Sequence, residues 1–237
     1  ALDIVHMHAA LYNITDNSVG EHLRNYDLLP NDLVLADRIY SSVSGIEYCL
    51  ERNCQYIARM RINSFKPFDE QGNPLNILDM ISGKESGEMY VYARKNQGKD
   101  RGKLIPVRIC FKRKTKEALE MSQKKLKRKG SKKQISISES TFAFNEYIVL
   151  ATSLDDSISS EEILELYRYR WQVELYFKRL KSIIDYGEMP KKSEKSIFAW
   201  LNGKLMISLL IEALIGKVEF SPSGDFYEEY MERNEVC

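Results

Sequence analysis

Residues 33–62 read LVLADRIYSSVSGIEYCLERNCQYIARMRI, and this stretch decides the predicted fold. The four apolar residues at 33–36 predict a buried strand, because a short apolar run bounded by turn residues is typical of one. Ile46, Cys49 and Leu50 give residues 44–53 the apolar spacing of a helix, and residues 55–62 return to a strand pattern. Because strand and helix alternate, we predict an α/β fold with helices packed on a sheet.

Asp37 stands directly after the first of these strands, at its carboxyl end. In open α/β sheets, functional side chains are presented at the carboxyl ends of the strands. The alternative is that Asp37 serves only as a turn or cap residue, a role that Asp often takes. Both interpretations are open on this segment alone.

A second stretch carries four reactive side chains at fixed spacing. Residues 167–181 contain the pattern Tyr-x2-Arg-x3-Glu-x6-Lys, formed by Tyr167, Arg170, Glu174 and Lys181. At about 100° per residue these positions fall within roughly 60° of one predicted helix. A carboxylate suits a hard cation and basic neighbours neutralise a phosphodiester, so the stripe predicts metal-dependent chemistry on nucleic acid. The alternative is a solvated face on which Glu174 pairs with Arg170 or Lys178, worth only about 0.2–0.5 kcal/mol per pair.

The two segments together resemble the insertion-sequence-4 group of DDE transposases. The spacing at residues 167–181 is that group's YREK motif, and residues 169–182, YRWQVELYFKRLKS, are similar to its helix. Residues 37–40 resemble the segment of the family's second catalytic aspartate, with Ile39 in place of a glycine. The resemblance covers residues 2 to about 216, and the presence of both segments favours the catalytic interpretation.

The resemblance implies a fold, an activity and roles for the motif residues. The fold is a ribonuclease H-like catalytic core interrupted by a β-rich insertion domain. The activity is that of a DNA transposase, with cleavage at transposon ends and strand transfer into target DNA. Asp37 and Glu174 are implied ligands of two Mg²⁺ or Mn²⁺ ions. Tyr167, Arg170 and Lys181 are implied phosphate contacts, which Lys178 extends.

Double-stranded DNA is the implied partner, both as transposon end and as target, and a homodimer is expected in the DNA complex. Two other functions stay open. An inactive transposase remnant would bind DNA without cleaving it, and a metal-dependent nuclease with a ribonuclease H-like core would cut DNA without joining it to a target.

The order of the patterns predicts the division of the chain. Residues 1–62 are the first part of the core, with a strand at 2–13 and a helix at 18–26. Residues 63–145 are a β-rich insertion with a basic helix, in which apolar alternation at 134–144 predicts a strand. Residues 146–216 are the second part of the core with the Glu174 helix, and residues 217–237 are a carboxyl-terminal tail.

The family's first aspartate has no convincing match. Only 36 residues precede Asp37, and Asp3 leaves no space for the hairpin that normally separates the first two aspartates. We therefore expect that the opening strand is missing, that the chain is an amino-terminally truncated transposase, and that it is inactive or nearly so.

Charge is distributed unevenly along the chain. The net charge is +1, yet residues 112–133 contain eleven Lys or Arg and two Glu, a local charge of +9 that leaves −8 for the rest. Such a patch favours nucleic acid as a partner. The alternative is a solvated, partly disordered arm.

The chain reads as a cytoplasmic, nucleoid-associated protein. Residues 197–216 are apolar but contain Asn202, Lys204 and Glu212. Because a charge inside a membrane costs about 2.5–3.5 kcal/mol, we predict a buried terminal helix there. The four cysteines form no CxxC pair and are predicted to be reduced thiols.

Overall fold

The computed structural model of the chain describes residues 2–3, 8–9, 22–95, 100–183 and 193–217. The chain divides into two compact units. Among the described residues, 22–95 and 100–167 form the sheet unit, and 2–3, 8–9, 168–183 and 193–217 form the helical unit.

Strands and helices are interspersed along the described chain. The strands are β1 Leu2–Asp3, β2 His8–Ala9, β3 Leu33–Ala36, β4 Gln55–Arg59, β5 Pro67–Phe68, β6 Ser86–Arg94, β7 Leu104–Arg113 and β8 Tyr147–Thr152. The α-helices are α1 Val43–Glu51, α2 Ile77–Ile81, α3 Lys116–Lys133, α4 Glu139–Phe144, α5 Ser160–Arg168, α6 Trp171–Ile183 and α7 Glu194–Lys217.

The sheet unit is built on a six-stranded sheet with the order β3-β4-β8-β7-β6-β5. β3 and β4 are parallel, with Ala36 beside Ala58, and the other neighbouring pairs are antiparallel. α1 provides the crossover that parallel neighbours require. The α/β fold predicted from residues 33–62 is thus confirmed, and the sheet has six strands. The prediction that residues 33–36 form a buried strand is wrong, because β3 lies at the sheet edge, where Leu33 is 41% exposed and only Ala36 is buried.

Both faces of the interior strand β4 are covered. Tyr56 and Ala58 belong to a large apolar cluster that includes Ile46 of α1. Ile57 belongs to a second cluster that includes Ile163 of α5. Because successive residues of a strand point to opposite faces, burial on both faces explains why this strand lacks alternating polar positions.

Residues 63–145 contribute β5, β6 and β7 to this same sheet. β7 pairs with β8 from Arg108 opposite Thr152 to Arg113 opposite Tyr147. The boundaries of core and insertion stay predictions.

The predicted strand at residues 134–144 is wrong, because part of this segment forms α4. Gln134 ends α3 in the left-handed conformation, with φ 52°. Ser138 then caps α4, and its Oγ accepts from the N–H of Thr141 at 3.3 Å. A Ser cap followed by Glu139 in the first turn stabilises a helix, and this local signal outweighs the apolar alternation.

The predictions at the beginning of the chain need correction. In place of one strand over residues 2–13, β1 and β2 pair antiparallel, with Leu2 opposite Ala9. The predicted helix at residues 18–26 lies partly outside the described residues, and Leu23–Asn25 forms a 3-10 helix.

α7 confirms a helix at residues 197–216 but is not buried throughout. Four large apolar side chains on it are between 38% and 59% exposed, namely Phe198, Met206, Ile207 and Leu210. Among the described helices, none has the length and apolar character needed to cross a membrane.

Cys49, Cys54 and Cys110 are free and buried, which confirms the prediction of thiols for these three. Burial raises the pKa of Cys49 to about 12 and that of Cys110 to about 11. Both thiols are therefore protonated at neutral pH and are poor nucleophiles. Cys237 lies outside the described residues.

Candidate active site

Asp37 is the first residue after β3, and its side chain is exposed. No described residue donates a hydrogen bond to its carboxylate or forms an ion pair with it. As far as the described residues go, neither oxygen is in use, which is compatible with a metal-binding carboxylate.

Hydrogen bonds fix the backbone that follows Asp37. The N–H of Tyr40 donates to the carbonyl of Asp37 at 2.9 Å. Ser41, which is fully buried, donates through Oγ to the carbonyl of Arg38 at 2.9 Å and lies 2.5 Å from the hydroxyl of Ser64. The turn is thus held in place without using the Asp37 carboxylate.

Gly45 allows α1 to approach this turn closely. A Cβ atom at this position would lie 2.5 Å from the carbonyl oxygen of Tyr40. Because that oxygen belongs to the backbone, any side chain at position 45 would displace the turn that begins at Asp37.

We expect Gly45→Ala to destabilise the chain by about 1–3 kcal/mol, the usual range for overpacking a buried site. The free energy of unfolding in urea measures this. Gly203→Ala is the matched control, because Gly203 is also helical but its added Cβ would meet no atom within 4 Å. Helix propensity predicts that the control gains up to about 1 kcal/mol. Equal effects of the two substitutions would contradict the close approach.

Glu174 lies in the first turn of α6, next to Arg170. Arg170 Nη2 donates to Glu174 Oε1 at 2.6 Å, and the two side chains are 15% and 36% exposed. The structure thus brings together two of the four motif residues. The interpretation of a solvated helix face also predicted this pair. The contact uses only Oε1 of Glu174, however, and it places the Arg170 cation beside the carboxylate.

The predicted single helix through all four motif residues is wrong. α5 ends at Arg168, residues 169 and 170 form a turn, and α6 begins at Trp171. At this break the N–H groups of residues 172 and 173 donate to carbonyls three residues earlier, at 2.9 and 3.1 Å. The division between the two compact units falls between Tyr167 and Arg168, one residue before the break, so most of α5 belongs to the sheet unit and α6 to the helical unit.

The remaining motif residues differ in exposure. Tyr167 is only 7% exposed and lies in the cluster that contains Ile57 and Cys110, so its ring is part of a core. Lys178 is exposed on α6, and Lys181 lies on the same helix. Phosphate contacts from Tyr167, Lys178 and Lys181 stay predictions.

Arg108 on β7 is a positioning residue that the sequence reasoning missed. Its side chain is 2% exposed, and Nη1 donates to the carbonyls of Asp155 at 2.6 Å and Ile158 at 2.8 Å. Nη2 forms an ion pair with Glu88. Arg108 therefore fixes the loop that leads from β8 into α5. Its signal in the sequence is a single arginine inside the apolar run LIPVRICF at residues 104–111.

Ser159 caps α5. Its Oγ accepts from the N–H of Glu162 at 3.3 Å, and Glu162 Oε2 accepts from the N–H of Ser159 at 2.8 Å. This reciprocal pair is a capping box. The hydrogen bonds from Ser159 lower the pKa of the Glu162 carboxyl.

A cavity of about 880 Å³ lies in the sheet unit beside α1, α2 and β5. Its one lining carboxylate, Glu47, forms an ion pair with Lys95. The guanidinium of Arg94 lies over the ring of Phe68 at 4.1 Å. With its only carboxylate already paired, the cavity does not offer a metal site.

Residues 2–210 match the family described as the transposase DDE domain. The chain belongs to the DDE transposase family. It is similar to the transposase for insertion sequence element IS421 from Escherichia coli, with 26% identity over 220 residues, 91% of this chain and 58% of the relative. It is also 26% identical over 210 residues to the transposase for insertion sequence element IS231F from Bacillus thuringiensis subsp. israelensis, covering 81% of this chain and 43% of the relative. The chain thus spans about half the length of these curated relatives.

A DDE domain implies dependence on divalent metal in general. Within the described parts of the chain, no group of three or more His, Cys, Asp or Glu residues is arranged to hold a metal ion. The donor chemistry of Asp37 and Glu174 nevertheless fits Mg²⁺, which prefers oxygen ligands. Asp37 has no described partner, and Glu174 uses one oxygen for Arg170.

Proposed function

We propose that this chain is the catalytic part of a DNA transposase, which cleaves DNA at transposon ends and transfers the free strand into target DNA. The observation that carries the proposal is the family match over residues 2–210, because it spans both Asp37 and Glu174. The Asp37 carboxylate, which lies at a strand end and has no described partner, and the cation beside Glu174 support it.

We assign the chain to the insertion-sequence-4 group with a ribonuclease H-like core. The YREK spacing at residues 167–181 supports the group. The parallel crossover β3-α1-β4, followed after β8 by α5 and α6, supports the core. In this assignment residues 63–145 are the insertion, and it extends the sheet of the core through β7.

Asp37 and Glu174 are the proposed ligands of two Mg²⁺ or Mn²⁺ ions. When bound, two such ions activate the attacking oxygen and stabilise the leaving oxygen of a phosphodiester. Arg170 orients the Glu174 carboxylate through their hydrogen bond and adds positive charge where a phosphate approaches. Lys178, Lys181 and the hydroxyl of Tyr167 are the proposed DNA contacts.

The family's remaining aspartate would fit on a strand beside β3. β3 lies at the edge of the described six-stranded sheet. A strand added parallel to it would end next to Asp37, because parallel neighbours present their carboxyl ends at the same edge of a sheet. The edge position of β3 therefore supports the proposal that the third carboxylate lies on a further strand paired with β3.

Double-stranded DNA is the proposed substrate, as transposon end and as target, and a homodimer is the proposed form of the DNA complex. The test is an assay of the complete transposase with a duplex transposon end, a plasmid target and Mg²⁺. We expect the 3′-hydroxyl of the cleaved end to become joined to the plasmid. Cleavage without joining would identify a nuclease, and binding without cleavage would identify an inactive remnant.

A further inference from the structure

The second half of α3 carries only positive charge. Residues 124–133 contain seven basic side chains and no carboxylate. The seven, all exposed, are Lys124, Lys125, Lys127, Arg128, Lys129, Lys132 and Lys133. The two acidic residues of the helix, Glu117 and Glu120, lie near its beginning. Residues 124–133 are called the basic segment.

Apart from Lys125, the basic side chains of the basic segment are not neutralised by the rest of the described chain. Where side chains are described, no carboxylate pairs with Lys124, Lys127 or Arg128. The same holds for Lys129, Lys132 and Lys133. Like charges four residues apart, such as Lys124 and Arg128, repel one another and disfavour the helix. The fold therefore retains charges that do not stabilise it.

α3 is nevertheless an ordered helix, so the alternative of a partly disordered arm is wrong. Ser122, 8% exposed, accepts from Asn145 Nδ2 at 2.9 Å and lies 3.1 Å from Lys114 Nζ. At the other end, the N–H of Ile135 donates to the carbonyl of Gly130 at 3.0 Å. Contacts before and within the basic segment thus fix its position.

These contacts turn the basic side chains outward. Ala118, Ser122 and Gly130 form the buried side of α3. At about 100° per residue, Lys124, Lys127 and Arg128 lie more than about 120° from the middle of that side. The three cations therefore face solvent together.

We propose that the basic segment binds the sugar–phosphate backbone of double-stranded DNA without reading its base sequence. Ten helical residues span about 15 Å, and over that length a duplex carries about nine phosphate charges at roughly 1.7 Å each. Lysine acts as a point charge and contacts phosphate without the fork geometry that reads base edges. The inference rests on the proposed function only for the choice of DNA, since the segment lies outside the motif residues.

The test is the triple substitution Lys124→Gln, Lys127→Gln and Arg128→Gln in the 237-residue chain. Binding to two short duplexes of unrelated sequence is measured by fluorescence anisotropy over a series of KCl concentrations. We expect affinity near 0.1 M salt to fall on the order of 10²-fold for both duplexes, and the salt slope to become shallower by about 2.7, or 0.9 per lost contact. The unfolding midpoint should stay unchanged or rise, because like-charge repulsion is removed.

A matched control replaces Lys84, Arg101 and Lys103 with Gln, three exposed cations of the same unit. Its affinity should change less than threefold. Equal losses in the two triple variants would overturn the proposal, as would a loss confined to one duplex. Tighter binding to single-stranded RNA or to anionic phospholipid vesicles than to duplex DNA would also overturn it.

The test of the basic segment and the test of the proposed function can give different results. In the complete transposase, the triple variant should still cleave transposon ends at saturating DNA, while Glu174→Gln should retain the sequence-independent binding. Loss of binding in the triple variant therefore tests the basic segment, and loss of cleavage in Glu174→Gln tests the catalytic assignment.

Discussion

Replacing Glu174 with Gln, or Asp37 with Asn, in the complete transposase is expected to slow cleavage at transposon ends by about 10³-fold or more. Each substitution keeps the shape of the side chain but exchanges a charged oxygen donor for an amide, which Mg²⁺ binds poorly. The measurement is the single-turnover rate of end cleavage, with DNA affinity determined in parallel.

Neither substitution should unfold the protein, and this separates a catalytic role from a structural one. Asp37 is exposed and has no described partner, so its amide should leave the unfolding midpoint unchanged. Glu174 shares one partly exposed hydrogen bond with Arg170, and pairs four residues apart on helices contribute only about 0.3–0.5 kcal/mol.

Two matched controls carry the same chemical change elsewhere. Asp27→Asn and Glu165→Gln alter exposed carboxylates of the sheet unit and should keep full cleavage. If Asp37→Asn or Glu174→Gln retained cleavage within about tenfold of the unsubstituted enzyme, an effect of about 1.4 kcal/mol, its assignment as a metal ligand would be wrong.

Arg108→Met should produce the largest loss of stability, about 3 kcal/mol or more. The substitution keeps the length of the side chain but removes the donors to the carbonyls of Asp155 and Ile158, and it leaves Glu88 without its buried partner. For a chain of this size, 3 kcal/mol corresponds to a fall in Tm of about 6–12 °C. Differential scanning calorimetry of the two proteins measures this fall in Tm directly.

Arg113→Met is the control, because Arg113 lies on the same strand but is 40% exposed and pairs with Glu85 and Glu146 at the surface. Surface pairs contribute about 1 kcal/mol at most, so its Tm should fall by no more than a few degrees. A similar loss in both variants would show that burial of Arg108 does not matter to the fold.

The parts of the fold that were predictable from sequence have local causes. The strand that ends before Asp37, the helix α1 and the strand β4 follow from apolar spacing within residues 33–62, and the Ser159 cap follows from residue type. The sequence prediction misses α4 because the alternation of Ile135 and Ile137 is typical of a strand, whereas the Ser138 cap stabilises a helix.

Other features depend on residues far apart in the chain and leave little local trace. The loop that Arg108 holds lies about fifty residues later, so no window of sequence contains both partners. The break between α5 and α6 contains neither Gly nor Pro and lies one residue after the boundary between the two units. Of the candidate site, the strand-end position of Asp37 and the Arg170–Glu174 contact were predictable, whereas the burial of Tyr167 was not.

The pairing of β4 with β8 also has a consequence for how the protein is made. The carbonyl of Tyr56 accepts from the hydroxyl of Thr152, 96 residues later. At about 5–20 residues per second, a ribosome needs roughly 5–20 s to synthesise the intervening chain. For that time one edge of the nascent β4 is unpaired and can be joined by other polypeptides, so the later synthesis of β8 also protects the forming sheet from aggregation.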